Sequence, residues 1–277
     1  MPYRTILVHV DRASNSAARI NLAAQLALRE SAHLVGAAMT GVPRYMLAGS
    51  PYDGSGMLIA EHLRQANERA DQALAQFEEL ANRAACSYEK RRDNVDEYAG
   101  LCLQARYADL VVLGQADPTD REQGGLLHDL PEQVLLQGGR PVLLVPRSGS
   151  FGVPSRRALV AWNGSQQAAR AISAALPLLR GVGQVTLAVF GAERDDHGAE
   201  PGADMALYLA RHDLKVEVLR RPHPADAGQA ILSMAADFDA DLLVMGAYGH
   251  SRFREMVMGG ATRTVLSQAT LPVLMMH

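Results

Sequence analysis

The chain has 277 residues, 48% of them apolar, enough for one large or two ordinary domains with packed cores. A formal net charge of −3 and an isoelectric point near 6.3 provide no broad basic field, so nucleic acid is not an expected partner. No apolar run reaches membrane-spanning length, and the opening MPYRTILVHVD enters a strand pattern without a signal-peptide layout, so no membrane partner and a cytoplasmic location are expected.

In chain order, β-branched runs and amphipathic stretches alternate. The first half reads as strands at 3–10, 33–39, 88–91, 110–114 and 142–145. Between them, 17–29 reads helical, and 58–85 carries Ile59, Leu63, Ala66, Ala70, Leu74, Phe77 and Ala81 at three-and-four spacing. Cys86 and Cys102 stand apart in helical patterns and form neither a disulfide framework nor a CxxC site; buried, inert thiols are expected. The second half repeats the order with strands at 158–162, 185–190, 216–219, 242–245 and 273–275. The segments 41–56 and 191–202 are rich in Gly, Pro and Asp and read as surface loops, with a cover over a ligand as the alternative.

The two halves say nearly the same thing. RTILVHVD matches RALVAWN, ADLVVLG matches ADLLVMG, and RPVLLVP matches LPVLMMH. Each half has domain length, which points to a duplication with domains at 1–147 and 156–277 and a linker at 148–155. Strand–helix alternation with near-continuous apolar strands predicts an α/β fold: two tandem, doubly wound, five-stranded parallel sheets of Rossmann-like kind. Ligands of such sheets sit at the carboxyl ends of the strands, where the strand order reverses.

The stretch from 241 to 262, DLLVMGAYGHSRFREMVMGGAT, places glycines after an apolar strand and a glycine pair before a helical pattern. Backbone amides approach a polyanion where no side chain intervenes, and a helix start adds donors and a positive dipole end, so the pattern reads as a phosphate cradle. Ser165 precedes an Ala-rich helical run and reads first as an N-cap, with a ligand contact as its second role.

These residues resemble the universal stress protein family in its tandem form. That family is marked by glycine, two residues, glycine, nine residues, glycine, then Ser or Thr, and Gly246, Gly249 and Gly259 keep the spacing. The resemblance implies an adenine nucleotide alpha-hydrolase-like sheet, ATP with or without Mg²⁺ or another adenine nucleotide, and a role in stress survival. It implies a contact set of Asn163, Gly164, Ser165, Val189, Gly246, Ala247, Gly249, His250, Arg252, Gly259, Gly260, Ala261 and Thr262. The chain departs from the pattern at Gly260, which lacks the hydroxyl, and at Asn163, where Asp is common; Thr262 offers a hydroxyl from the first helical turn. In the first half Asp11 keeps the acidic residue, but Asp117, His128 and Asp129 stand at the places of Gly249, Gly259 and Gly260. Carboxylates there repel phosphate, so that half is expected to bind no triphosphate.

Other chemistry is sparse. Lys90 and Lys215 are the only lysines and no GxxxxGK[ST] string occurs, which excludes a Walker-type NTPase. Charge on a phosphate would fall to amides, Mg²⁺, Arg252 or Arg263. His197 with Asp195, Asp196 and Glu200 lacks repeated ligand spacing and reads as a solvated acidic loop. The leading expectation is a nucleotide-binding stress or regulatory protein whose second half holds the ligand, with pairing of the two halves inside one molecule and a possible homodimer. The alternatives are a protein-interaction module of the same fold and, last, a slow ATPase, for which no base is evident; no catalytic residue and no metal ligand is assigned.

Overall fold

A computed structural model describes residues 2–42, 55–117, 129–190, 200–222, 224–249 and 260–277. Packing separates two compact units, Tyr3–Arg140 and a second that holds Pro141–His277. In the first, β1 (Thr5–His9), β2 (His33–Met39), β3 (Tyr88–Asp93) and β4 (Leu110–Gly114) alternate with α1 (Ser16–Glu30), α2 (Ser55–Ala84), α3 (Glu97–Ala105) and α4 (Leu130–Gln137). Its strands lie in the order β3-β2-β1-β4, and the pairs β1·β2, β1·β4 and β2·β3 are parallel.

The second unit holds β5 (Val142–Val145), β6 (Arg157–Trp162), β7 (Gln184–Phe190), β8 (Val216–Arg221), β9 (Leu242–Gly246) and β10 (Val273–Met276). Helices α5 (Gln166–Leu179), α6 (Ala203–Ala210), α7 (Ala227–Asp237) and α8 (Gly260–Gln268) connect them. The order is β5-β10-β9-β6-β7-β8, parallel except for β5, which runs antiparallel to β10 with Val273 opposite Leu144 and Met275 opposite Val142. The α/β reading holds, and the predicted strands appear within two residues of their expected ends, the first shortening from 3–10 to Thr5–His9.

The central strands are apolar throughout because helices cover both their faces. Ile6, Leu7 and Val8 of β1, Leu110 to Leu113 of β4, and Leu242 to Val244 of β9 are all buried. The outer strands β3 and β8 carry YEKRRD and VEVLRR instead, and charge on an outer strand discourages further pairing. Helix α2 departs from its expected uniform stripe: Ala70, Ala73, Leu74, Phe77, Leu80 and Ala81 are buried, whereas Ile59, Leu63 and Ala66 are only half covered. Phe77 reaches across Gly36 of β2, where an added Cβ would lie 2.6 Å from the ring Cζ; glycine there is a matter of space for the ring.

The repeated ADL tripeptide acquires a role that its sequence does not announce. The Asp109 carboxylate accepts from the Arg4 and Thr5 amides at 2.7 and 3.0 Å, so it ties the start of β4 to the start of β1. Asp241 does the same in the second unit, accepting from the Ser155, Arg156 and Arg157 amides at 3.0, 2.9 and 3.1 Å. Hydrogen bonds to a charged acceptor contribute about 1.5–3 kcal/mol each in favourable settings, and these are partly exposed. Replacement Asp241→Ala should therefore destabilise the chain by about 2 kcal/mol in urea unfolding, with Asp241→Asn intermediate.

Candidate functional site

The strand order reverses between β6 and β9, so the crevice at their carboxyl ends is where this topology receives a ligand. At the end of β6 the Asn163 carboxamide oxygen accepts from the Ser165 amide at 3.2 Å and from its hydroxyl at 2.7 Å. Gly164 between them has φ of +74°, a left-handed position that suits glycine. Ser165 Oγ in turn accepts from the Ala168 amide at 3.1 Å and caps α5, as its sequence position predicts. The turn leaves Asn163 and Gly164 exposed to solvent.

Across the crevice the glycines have unequal purposes. A Cβ on Gly246 would lie 2.4 Å from the Ala168 nitrogen, so this residue permits the first turn of α5 to approach β9. A Cβ on Gly249 would lie 3.1 Å from Ser165 Oγ and 3.3 Å from Gln167 Oε1, which places that glycine against the β6 turn. No described residue lies within 4 Å of a Cβ placed on Gly260, the first residue of α8. The left-handed residue of this loop is Tyr248, with φ of 55°, a conformation unusual for a bulky side chain. Its amide donates to Thr262 Oγ1 at 3.3 Å.

Thus the structure brings Asn163, Gly164, Ser165, Gly246, Ala247 and Gly249 to one place and ties the loop to Thr262 of α8. It also alters the role expected of some of them. The Ala247 amide donates to Met276 O at 2.9 Å, and the Tyr248 amide is taken by Thr262, so neither points freely at an anion. Thr262 is buried and its oxygen holds the loop, which replaces the phosphate contact expected of it. Val189 is fully buried under Gly202 and forms the floor of β7. Among the described residues, no hydrogen bond uses the amides of Gly249, Gly260 or Ala261. His250, Arg252 and Gly259 lie outside the described residues, as do His128, Asp195, Asp196 and His197, whereas Glu200 is exposed and pairs with Arg220.

The corresponding crevice of the first unit, between β1 and β4, is filled by charge. Arg19 of α1, almost wholly buried, places Nη2 2.6 Å from Asp11 Oδ1, and Ala13 N donates to the same oxygen at 3.0 Å. The second Asp11 oxygen lies 3.3 Å from His9 Nδ1, while His9 Nε2 lies 2.6 Å from Glu97 Oε1 at the start of α3. Side chains of Arg19 and Asn15 occupy the space over Gly114, where a Cβ would lie 2.3 Å from Arg19 Nη1 and 2.8 Å from Asn15 Nδ2. Asp129, one of the carboxylates that replace glycine, accepts from Tyr98 Oη at 2.6 Å. Of this cluster only Asp11 was evident as a candidate; His9, Arg19 and Glu97 are spread over 89 positions of sequence, and only the β1–α1–α3 layering unites them.

Burial on its own would raise the Asp11 carboxyl, but the Arg19 guanidinium and His9 outweigh it and hold the group down at about 2. A depressed folded-state value contributes stability that is complete above the ordinary aspartate range and lost as pH falls through about 2. One pKa unit corresponds to about 1.4 kcal/mol, so between pH 5 and pH 2 wild type should lose roughly 2 kcal/mol relative to Asp11→Asn in pH-dependent unfolding.

No group of three or more His, Cys, Asp or Glu side chains able to hold a metal occurs among the described residues, and no helix among them is long and apolar enough to cross a membrane. Both cysteines are buried, and burial raises each thiol, which makes them poor nucleophiles.

With this geometry in hand, comparison with known proteins gives a consistent picture. Residues 154–277 match the family model described as the universal stress protein family. A universal stress protein from Synechocystis sp. is 30% identical over 170 residues, 60% of this chain and 57% of that protein, so the chain spans just over half the length of this curated relative. The solved universal stress protein of Archaeoglobus fulgidus superposes with a TM-score of 0.74 at 16% identity, covering 98% of this chain and 95% of that one. A functionally unknown protein from Pseudomonas aeruginosa PAO1 gives 0.62 at 16% identity over 99% and 92% of the two chains; both likenesses establish the fold. Residues 154–277 thus match the universal stress protein family, and the whole chain shares the fold of a solved member of it.

Proposed function

We propose that this chain is a cytoplasmic stress-response or regulatory protein whose C-terminal half binds ATP, with or without Mg²⁺, or another adenine nucleotide. It would consist of two tandem universal-stress-protein-like domains, 1–147 and 156–277, joined at 148–155, the first serving as structural partner of the second. Pairing of the halves within one molecule and association of two copies belong to the same reading, as does the absence of nucleic acid and membrane partners.

The observation that carries it is the start of α8. Gly260 and Ala261 present amides at the positive end of a helix, with no described residue over Gly260, and Thr262 of the same turn holds the loop whose Gly249 lies against the exposed turn at Asn163 to Ser165. An anion placed there meets donors and no carboxylate among the described residues nearest it. The nucleoside end would meet the exposed Asn163 carboxamide, whose NH₂ can donate. A second reading, a protein-interaction module without nucleotide, is favoured by the Ala247 and Tyr248 amides, which the protein already satisfies. A slow ATPase ranks third, since the described crevice offers no general base.

Calorimetric titration with ATP and Mg²⁺ should give about one site per chain. Replacement Gly260→Asp should weaken binding at least about tenfold by setting a carboxylate against phosphate, while leaving the melting temperature unchanged, because Asp suits a helix N-terminus. No heat and no shift in melting at millimolar ATP would defeat the nucleotide reading in favour of the interaction module.

A further inference from the structure

The two crevices differ in a way that the glycine spacing does not describe. When Val8 is aligned with Val160, His9 falls on Ala161, Asp11 on Asn163 and Arg19 on Ala171, and the phase is kept by Ile20 and Ile172, both fully buried. The N-caps of α3 and α7 fix the fourth position: Asp96 accepts from Ala99 N and Asp226 from Gln229 N, so Glu97 falls on Ala227. Four charged or ionisable residues in the first unit thus face three alanines and an asparagine in the second.

Those four residues form one continuous chain of polar contacts, Arg19 to Asp11 to His9 to Glu97, at 2.6, 3.3 and 2.6 Å. It starts on α1, crosses the carboxyl end of β1 and finishes on α3, so it links the helices that flank the strand. Each ring nitrogen of His9 faces a carboxylate oxygen, and both can donate when the ring carries two protons. Both Asp11 oxygens are engaged, one of them twice, which leaves the residue poorly placed to accept from a ligand.

Burial follows the same division. His9 and Val10 at the end of β1 are buried, whereas their counterparts Ala161 and Trp162 at the end of β6 are partly exposed. Helix α5 brings its own backbone against Gly246, while over Gly114 the gap is filled by the side chains of Arg19 and Asn15. Among the described residues, the first unit fills its crevice with its own side chains, and the second leaves its strand end partly exposed.

We propose that the chain Arg19–Asp11–His9–Glu97 is a clasp that stands where a ligand would stand in the first unit, and that the neutral set Ala161, Asn163, Ala171 and Ala227 lets the second unit accept one. These four positions, together with the glycine spacing, determine which half binds. The inference rests on the nucleotide reading above for its ligand, and the clasp itself can be tested without one.

The first arm transfers the clasp. Full-length Ala161→His/Asn163→Asp/Ala171→Arg/Ala227→Glu is titrated with ATP and Mg²⁺ beside wild type and the single variant Asn163→Asp. The single variant should bind within about threefold of wild type and the quadruple variant at least tenfold more weakly; a folded quadruple variant that binds as wild type does would overturn the assignment. The second arm needs no ligand and decides the matter should the quadruple variant not fold. In Asp11→Asn, hydrogen exchange of the first turns of α1 and α3 should accelerate at least tenfold while α5 and α7 keep their rates. Unchanged exchange in α1 and α3 removes the clasp. Should wild type itself show no ATP site, the functional reading fails, and the exchange arm still judges the clasp alone.

Discussion

Parallel pairing of β1 with β4, and of β6 with β9, is the constraint from which the remaining features follow. In each pair the connections to the next elements diverge, and the backbone that runs past the last paired residue must find partners in a crevice no helix fully covers. What occupies that crevice is the principal difference between the halves. In one it is a row of charged and ionisable side chains; in the other, among the described residues, it is a capped turn, a loop segment tied to Thr262 and the start of α8.

The tied loop shows how the site is held in shape. Tyr248 takes a left-handed backbone angle that costs free energy for a residue with a side chain, and strain of this kind persists where neighbours enforce it. Its neighbours do so: Thr262 receives its amide, Met276 receives the amide of Ala247, and the His277 ring approaches Ala247 O and the tyrosine ring. The loop is therefore positioned by α8 and by the chain end after β10.

Much of this was legible from the residues. Strand positions follow from apolar runs covered on both faces, and Ser165 is an N-cap by its place before an Ala-rich helix. The phosphate role of each glycine was less legible, because a glycine can serve several needs. Gly246 is present for helix approach and Gly36 for the ring of Phe77, and only the three-dimensional neighbour distinguishes these from a ligand contact. Thr262 offers a hydroxyl in the first helical turn, but spacing at a helix start does not fix which side is covered; it is buried and its oxygen accepts the Tyr248 amide. His9 reads as one more strand residue, Arg19 and Glu97 as solvated helix charges, since nothing local signals that α1 and α3 converge on one strand end. The aspartates of the repeated ADL were visible as a pattern, but their amide partners lie roughly a hundred positions away for Asp109 and over eighty for Asp241.

The antiparallel seat of β5 on β10 bears on how the C-terminal repeat can be handled in isolation. A fragment begun at residue 156, where the sequence repeat starts, would lack Val142 to Val145 and leave the apolar β10 with one side unpaired. Bare strand edges of that composition recruit other chains, so such a fragment would self-associate or precipitate. A piece that keeps β10 paired on both sides must include β5, and so begins inside what the duplication alone would assign to the other repeat.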